Sequence, residues 1–286
     1  MHTAQSKDGT TIAYDREGSG PVVIVVNGAL GDRKLDRRFK LMTGISERLS
    51  PRFTVINYDR RGRGESNEAG SFAVEREVED IAALIEAGGG RAALFGFSSG
   101  GALALRAAGA GIGVTKVAVY EVPFMVDRDE KRPPSDYGRR QDDLVEAGDR
   151  NGAVKHFMRD AMGMPAPAVA MMRLMPAWKD MAANAHTLPY DWAALGEHNM
   201  QGDPLQAEEF ASITLPAMVV HGGKSPANLR KGSEALAGIL PDARLCVLDG
   251  IGHNLKVDAI VPVLEEFLAD GQTNPQPDGT ETTTAA

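Results

Sequence analysis

The sequence predicts an α/β fold, a mostly parallel sheet flanked by helices, and three observations carry that prediction. Buried-strand runs recur at Val22 to Val26, Phe53 to Tyr58, Ala92 to Phe97, Lys116 to Tyr120 and Leu215 to Val220. Unbroken β-branched or apolar runs of this length mark strands covered on both faces, as in a parallel sheet between helical layers. Between the runs lie segments whose apolar residues are three and four apart, the period of helices. The chain of 286 residues is 43% apolar, enough for a substantial core.

The elements follow in order. Residues 3–17 read as a hairpin, with Asp8-Gly9 at the turn and Thr10, Thr11, Ile12 and Tyr14 leading the return strand. Pro21 opens the first buried run. Val74, Val78, Ile81, Leu84 and Ile85 share a helical face, Ala102 to Ala108 is a helix of small residues, and Arg244 to Leu248 is a weaker strand. Ile260, Val263, Leu264, Phe267 and Leu268 close the fold with another apolar face.

The alternation breaks once. From about Asp127 to Leu205 no β-branched run occurs, and helical periods are punctuated by Pro133, Pro134, Pro165, Pro167, Pro176 and Pro189. The expectation is a helical cap, residues 127–205, inserted after the sixth strand of a core made of residues 1–126 and 206–270. Val154, Phe157, Met158, Ala161 and Met162 form one apolar face, and six of the twelve methionines fall between Met164 and Met200. Flexible thioethers suit an adaptable apolar surface, part of it sealing the cap and part facing a substrate. Residues 271–286 have the composition of a disordered tail.

Composition excludes several functions. Lys and Arg number 31 against 39 Asp and Glu, a net charge of −8 that argues against nucleic-acid partners or a basic membrane-seeking face. The one cysteine, Cys246, supplies neither an intramolecular disulfide nor a thiolate cluster. No HExxH motif, clustered His/Asp set or phosphate-binding loop occurs, so neither a metal nor another cofactor is expected. No leader-like N-terminus and no run of about eighteen apolar residues is present, so a soluble, cytoplasmic protein is expected. Whether it forms a homodimer is left open.

Gly96-Phe97-Ser98-Ser99-Gly100 matches G-x-S-x-G between a buried-strand run and a helix start at Gly101-Ala102-Leu103, the strand–turn–helix setting of a nucleophile elbow. Glycines at 96 and 100 allow strand and helix to approach. Ser98 is the candidate nucleophile, and Ser99 offers its backbone N–H. The competing reading is a Gly-rich turn whose helix N-terminus binds an anion.

With these residues the chain resembles the α/β-hydrolase family over nearly its whole length, the tail excepted. The resemblance implies an oxyanion hole at Asn27-Gly28-Ala29-Leu30, where the family usually has His-Gly, with the Ala29 amide beside Gly28 facing that of Ser99. It implies a catalytic histidine at His253, in Gly252-His253-Asn254. The loop from Tyr58 to Ser66 looks like the family's D-x-R-G-x-G-x-S turn stabiliser, with no chemical role. His2, His156, His186 and His198 are given none either.

The acid departs from the commonest family pattern. After Val220-His221 the chain reads Gly222-Gly223-Lys224-Ser225-Pro226, with Ser225 where an Asp is usual. Glu121, in Tyr120-Glu121-Val122-Pro123, stands at the alternative acid position used by haloalkane dehalogenases and zearalenone-type lactone hydrolases. It is the assigned acid, with Asp249, Asp127 and Asp129 as competitors and a strand-end salt bridge as the plain alternative. The lactone hydrolases are also similar in their paired elbow serines and Glu-x-Pro. Pro176-Ala177-Trp178 resembles their cap segment that directs a tryptophan at the ligand. Candidate substrate contacts are therefore Trp178, Met158 and Met162 from the cap, Leu30, Phe97 and Pro123 around the elbow, and His221 at a strand end.

Serine at the elbow disfavours the family's dehalogenase and epoxide hydrolase chemistries, which need an aspartate nucleophile. The expected function is hydrolysis of a carboxylic ester or lactone of a small, largely apolar substrate through an acyl-enzyme on Ser98, with His253 as base and Glu121 as acid. Cleavage of a carbon–carbon bond, or a non-hydrolytic ligand-binding or cyclase-like role, stays open as the alternative.

Overall fold

The computed structural model describes residues 1–270, so the expected disordered tail at 271–286 lies outside the described residues. The chain opens with strands β1 (His2–Gln5) and β2 (Thr11–Glu17), paired antiparallel as expected. Gly9, at φ 89°, closes the turn, and the Asp8 carboxylate accepts the Thr10 amide at 2.9 Å. Next come β3 (Val22–Val26), helices α1 (Arg33–Phe39) and α2 (Met42–Leu49), β4 (Thr54–Tyr58), α3 (Val74–Gly88), β5 (Ala92–Phe97), α4 (Ser99–Gly109) and β6 (Val114–Tyr120). The eight-stranded sheet has the order β1-β2-β4-β3-β5-β6-β7-β8, where β7 is Ala217–Gly222 and β8 is Ala243–Leu248. All pairings from β4 onward across the sheet are parallel.

The unbroken runs are explained by their burial. In β3, Ile24 and Val26 enter one apolar cluster with Ile81, Leu84 and Ile85 of α3, while Val23 and Val25 enter the opposite one with Ile45 and Leu49 of α2. Alternate residues of a strand point to opposite faces, so a strand with a helical layer on each side must be apolar throughout. The edge strand β8 is half exposed, which accounts for its weaker pattern. Strand β7 begins at Ala217 because Pro216, lacking an N–H, serves only as acceptor, to the Val117 amide at 3.1 Å.

Between β6 and β7 runs the helical cap inserted after the sixth strand: α5 (Tyr137–Glu146), α6 (Arg150–His156), a π turn (Phe157–Ala161), α7 (Ala166–Met172), α8 (Pro176–Asn184) and α9 (Leu188–Leu195), followed by the short α10 (Ala207–Phe210), whose Phe210 joins the core cluster. The cap has its own apolar cluster, in which Val154, Met158, Trp178 and Met181 meet Leu30 and Leu35 from the β3–α1 segment. The fold finishes with α11 (Ala227–Ile239) and α12 (Val257–Ala269) on opposite faces of the sheet. Among the described residues no helix is long and apolar enough to cross a membrane.

Candidate active site

Ser98 sits between β5 and α4 at φ 54° and ψ −128°, a conformation that side-chain-bearing residues rarely adopt. The turn is tight because its neighbours lack side chains: a Cβ at Gly96 would lie 2.5 Å from the Gly101 Cα, and one at Gly100 would collide with the Val26 and Asn27 carbonyls. Ser99 is the first residue of α4, so its N–H has no intrahelical acceptor and points with the positive end of the helix dipole.

Glu121 follows β6 directly, also in the left-handed region at φ 46°. Its amide still bonds the Val220 carbonyl at 3.0 Å, which ties the strained residue to β7. The carboxylate is fully buried. Oε2 lies 2.7 Å from Nδ1 of His253, and Oε1 accepts the Gly222 amide at 2.7 Å and a short bond from the Ser225 hydroxyl. Burial works to raise the Glu121 pKa, but the bonds from His253, Ser225 and Gly222 overcome it and hold the carboxyl below its ordinary value.

His253 comes from the β8–α12 loop. Its ring stacks on Phe97 at 5.4 Å between centroids, and Tyr120 fixes the loop by donating its hydroxyl to the Gly252 carbonyl at 2.6 Å. Ser98 and His253 line one cavity of about 400 Å³ under the cap, together with Ala29, Ser99, Pro123 and Met162.

The remaining expected contacts lie elsewhere. Trp178 is buried within the cap cluster and donates its indole N–H to Asn151 at 2.8 Å, so it packs the cap and does not face the cavity. Leu30 and Met158 belong to the same cluster. Phe97 lies behind His253, and Gly28 presents its carbonyl to Arg63 at 2.7 Å. His221 is buried at the end of β7, with Nε2 3.9 Å from Glu234 of α11. Of the competing acids, Asp127 pairs with Lys231 at 2.7 Å, Asp129 uses its amide to bond Asp127 Oδ1, and Asp249 is exposed beyond β8.

Sequence reasoning missed Tyr137, Asp191 and Trp192, which line the cavity from the cap together with Phe157 of the expected apolar face. Asp191 of α9 is the centre of a buried network. Oδ1 accepts from Arg60 at 2.6 Å and from the Ser99 hydroxyl at 2.8 Å, and Oδ2 accepts from Arg63 at 2.7 Å. Arg60 also grips Glu77 through two bonds of 2.6 and 2.7 Å. The loop read as a turn stabiliser thus holds the Gly28 turn, the elbow's second serine and the cap together. The available signal was the pair of arginines, Arg60 and Arg63, in a loop that has to be buried.

A strained serine at a strand–helix elbow, a histidine bonded to a buried carboxylate and a roofed cavity define the hydrolase class of α/β proteins. The chain belongs to the alpha/beta hydrolase family, whose pattern matches residues 23–265. Its structure is similar to that of an alpha/beta hydrolase from Sphaerobacter thermophilus, 46% identical, with a TM-score of 0.83 over 93% of this chain and 100% of that one. The fold is shared with an enol-lactonase from Burkholderia xenovorans, 18% identical, with a TM-score of 0.67 over 94% of this chain and 100% of that one. An uncharacterized hydrolase, YraK, of Bacillus subtilis is 33% identical over 101 residues, which are 34% of this chain and about a third (35%) of that relative's length.

Proposed function

We propose that the protein is a serine hydrolase that cleaves a carboxylic ester or lactone of a small, largely apolar substrate. The observation that carries this reading is the 2.7 Å hydrogen bond between His253 Nδ1 and the buried Glu121 carboxylate, beside the strained Ser98 on the same cavity. Glu121 holds the Nδ1–H tautomer, leaving Nε2 to take the Ser98 proton as Oγ attacks the carbonyl carbon. The Ala29 and Ser99 amides receive the developing oxyanion, each donor contributing about 10²- to 10³-fold to turnover. His253 then returns the proton to the leaving alkoxide, and an attacking water repeats the sequence to free the acid and Ser98.

A fluorophosphonate tests this without the true substrate. The expected result is one adduct, mapped to Ser98 and abolished by His253→Ala. A folded protein that gains no adduct at Ser98 would overturn the assignment and favour ligand binding without hydrolysis.

A further inference from the structure

Tyr137 carries a polar group that the fold leaves unused. It opens α5 with only 3% of its surface exposed, and two rings hold it: His156, stacked at 4.6 Å, and Trp192, also at 4.6 Å between centroids. His156 is itself fixed, with Nδ1 2.7 Å from Asp160 and Nε2 3.2 Å from the Tyr137 carbonyl. The hydroxyls of Tyr120 and Tyr190 are spent on Gly252 and Glu68, each at 2.6 Å. Among the described residues the Tyr137 hydroxyl has no such partner, and Tyr137 lines the cavity that holds Ser98 and His253.

A hydroxyl that bonds nothing in the protein and is held at a cavity wall by a rigid aromatic clamp is a preformed binding group. Burial first, then the charges of Asp191 and Asp160, push its pKa well above the ordinary tyrosine value, so it stays protonated and can donate. The cavity wall is mostly apolar, with Phe157, Leu188, Leu195 and Met200 among its lining, and also carries Glu130, Lys131 and Arg132. The two nearby carboxylates are already engaged, Asp191 by Arg60, Arg63 and Ser99, and Asp160 by His156.

We propose that the Tyr137 hydroxyl is a substrate-binding donor that recognises a second carbonyl oxygen, on the part of the molecule lodged under the cap and remote from the bond cleaved at Ser98. The substrate class is then an apolar ester or lactone bearing an oxo group. A carbonyl fits better than a hydroxyl, because it needs only a donor, whereas a substrate hydroxyl brings a donor of its own and the Asp191 and Asp160 carboxylates are already engaged. The proposal rests on the hydrolase reading above and deepens it.

The test uses p-nitrophenyl octanoate and a series of oxo-octanoates in which the keto group moves one carbon at a time. One isomer, or two adjacent ones, should exceed octanoate in kcat/KM by about 3- to 10-fold, the worth of one neutral hydrogen bond. Tyr137→Phe should bring that ratio to about one, mainly through KM, and should leave the Tm unmoved because the hydroxyl bonds nothing in the fold. A preference that survives Tyr137→Phe, the lack of any preferred isomer, or a Tm loss of several degrees would overturn the proposal. The methyl esters of the same acids, titrated onto Ser98→Ala with and without Tyr137→Phe, read the subsite apart from hydrolysis. A Kd preference that depends on Tyr137 supports it even where no ester is turned over, an outcome that would count against the hydrolase reading alone.

Discussion

The Ser225 hydroxyl donates to Oε1 of Glu121, the oxygen that also accepts the Gly222 amide, while Oε2 receives His253. The residue at the position where an aspartate is usual has become a support for a carboxylate on the neighbouring strand. Register explains the substitution: β6 and β7 are parallel neighbours with Tyr120 opposite Val220, so the loops after them emerge side by side.

Glu121→Gln is expected to lower kcat by about tenfold or more with little change in KM, since an amide cannot stabilise the imidazolium by charge. Combining Glu121→Ala with Ser225→Asp should recover part of what Glu121→Ala alone loses, because the Ser225 side chain already reaches the carboxylate that bonds His253. Steady-state kinetics on a p-nitrophenyl ester decide this. Near-normal turnover of Glu121→Gln would remove Glu121 from the mechanism.

Stability should depend on the Glu121 carboxyl in acid. Its folded pKa is lowered from the ordinary value of 4.5, so the unfolded chain binds the proton more readily than the folded one. That contribution is fully present above about pH 4.5 and is lost as pH falls through the lowered folded value. Thermal melts from pH 7 to pH 3 should show a steeper acid decline for the wild type than for Glu121→Gln. Parallel curves would contradict this linkage.

Asp191→Ala should cost about 3–5 kcal/mol of stability, the range for leaving buried charges without their partner. Arg60 and Arg63 are fully buried, and burial, reinforced by the neighbouring Arg60 charge, already depresses the Arg63 pKa. Ser99→Ala removes only one hydrogen bond and should cost about 1 kcal/mol. Urea unfolding of both variants measures the difference. Equal losses would show that the arginines find other partners when Asp191 is gone.

Trp178→Ala should destabilise the protein by about 3–5 kcal/mol through the cavity it leaves in the cap cluster. It should change KM for acetyl and for bulky apolar esters alike. A rise confined to bulky esters would return Trp178 to the substrate wall.

The two tryptophans show where local reading stops. Trp178 and Trp192 both lie on cap helices, and nothing in their spacing tells which faces the cavity. Trp178 found an acceptor in Asn151, whereas Trp192 packs so closely on Gly138 that a Cβ there would meet its Nε1 at 2.5 Å. No helix is assigned from the sequence to α1, α2 or α11, although Met42, Ile45 and Leu49 of α2 do recur at helical spacing. The seven residues of α1, RKLDRRF, hold only two apolar side chains, Leu35 and Phe39, and the helix is held by the Asp32 cap, which accepts the Leu35 amide at 2.6 Å, and by the buried ion pair of Arg33 with Asp59. Such helices depend on tertiary partners more than on their own pattern.

By itself the sequence determined the α/β alternation and the elbow at Ser98, because strand burial on two faces and a tight strand–helix turn leave residue patterns that read along the chain. Resemblance carried His253 and Glu121. Only the tertiary structure decided that Glu121 meets His253, that Ser225 supports it, and that Tyr137, Asp191 and Trp192 roof the cavity while Trp178 does not. Those contacts join residues from separate strands and cap helices, and their geometry is set by strand order, register and the packing of helix faces, none of which is written in local spacing.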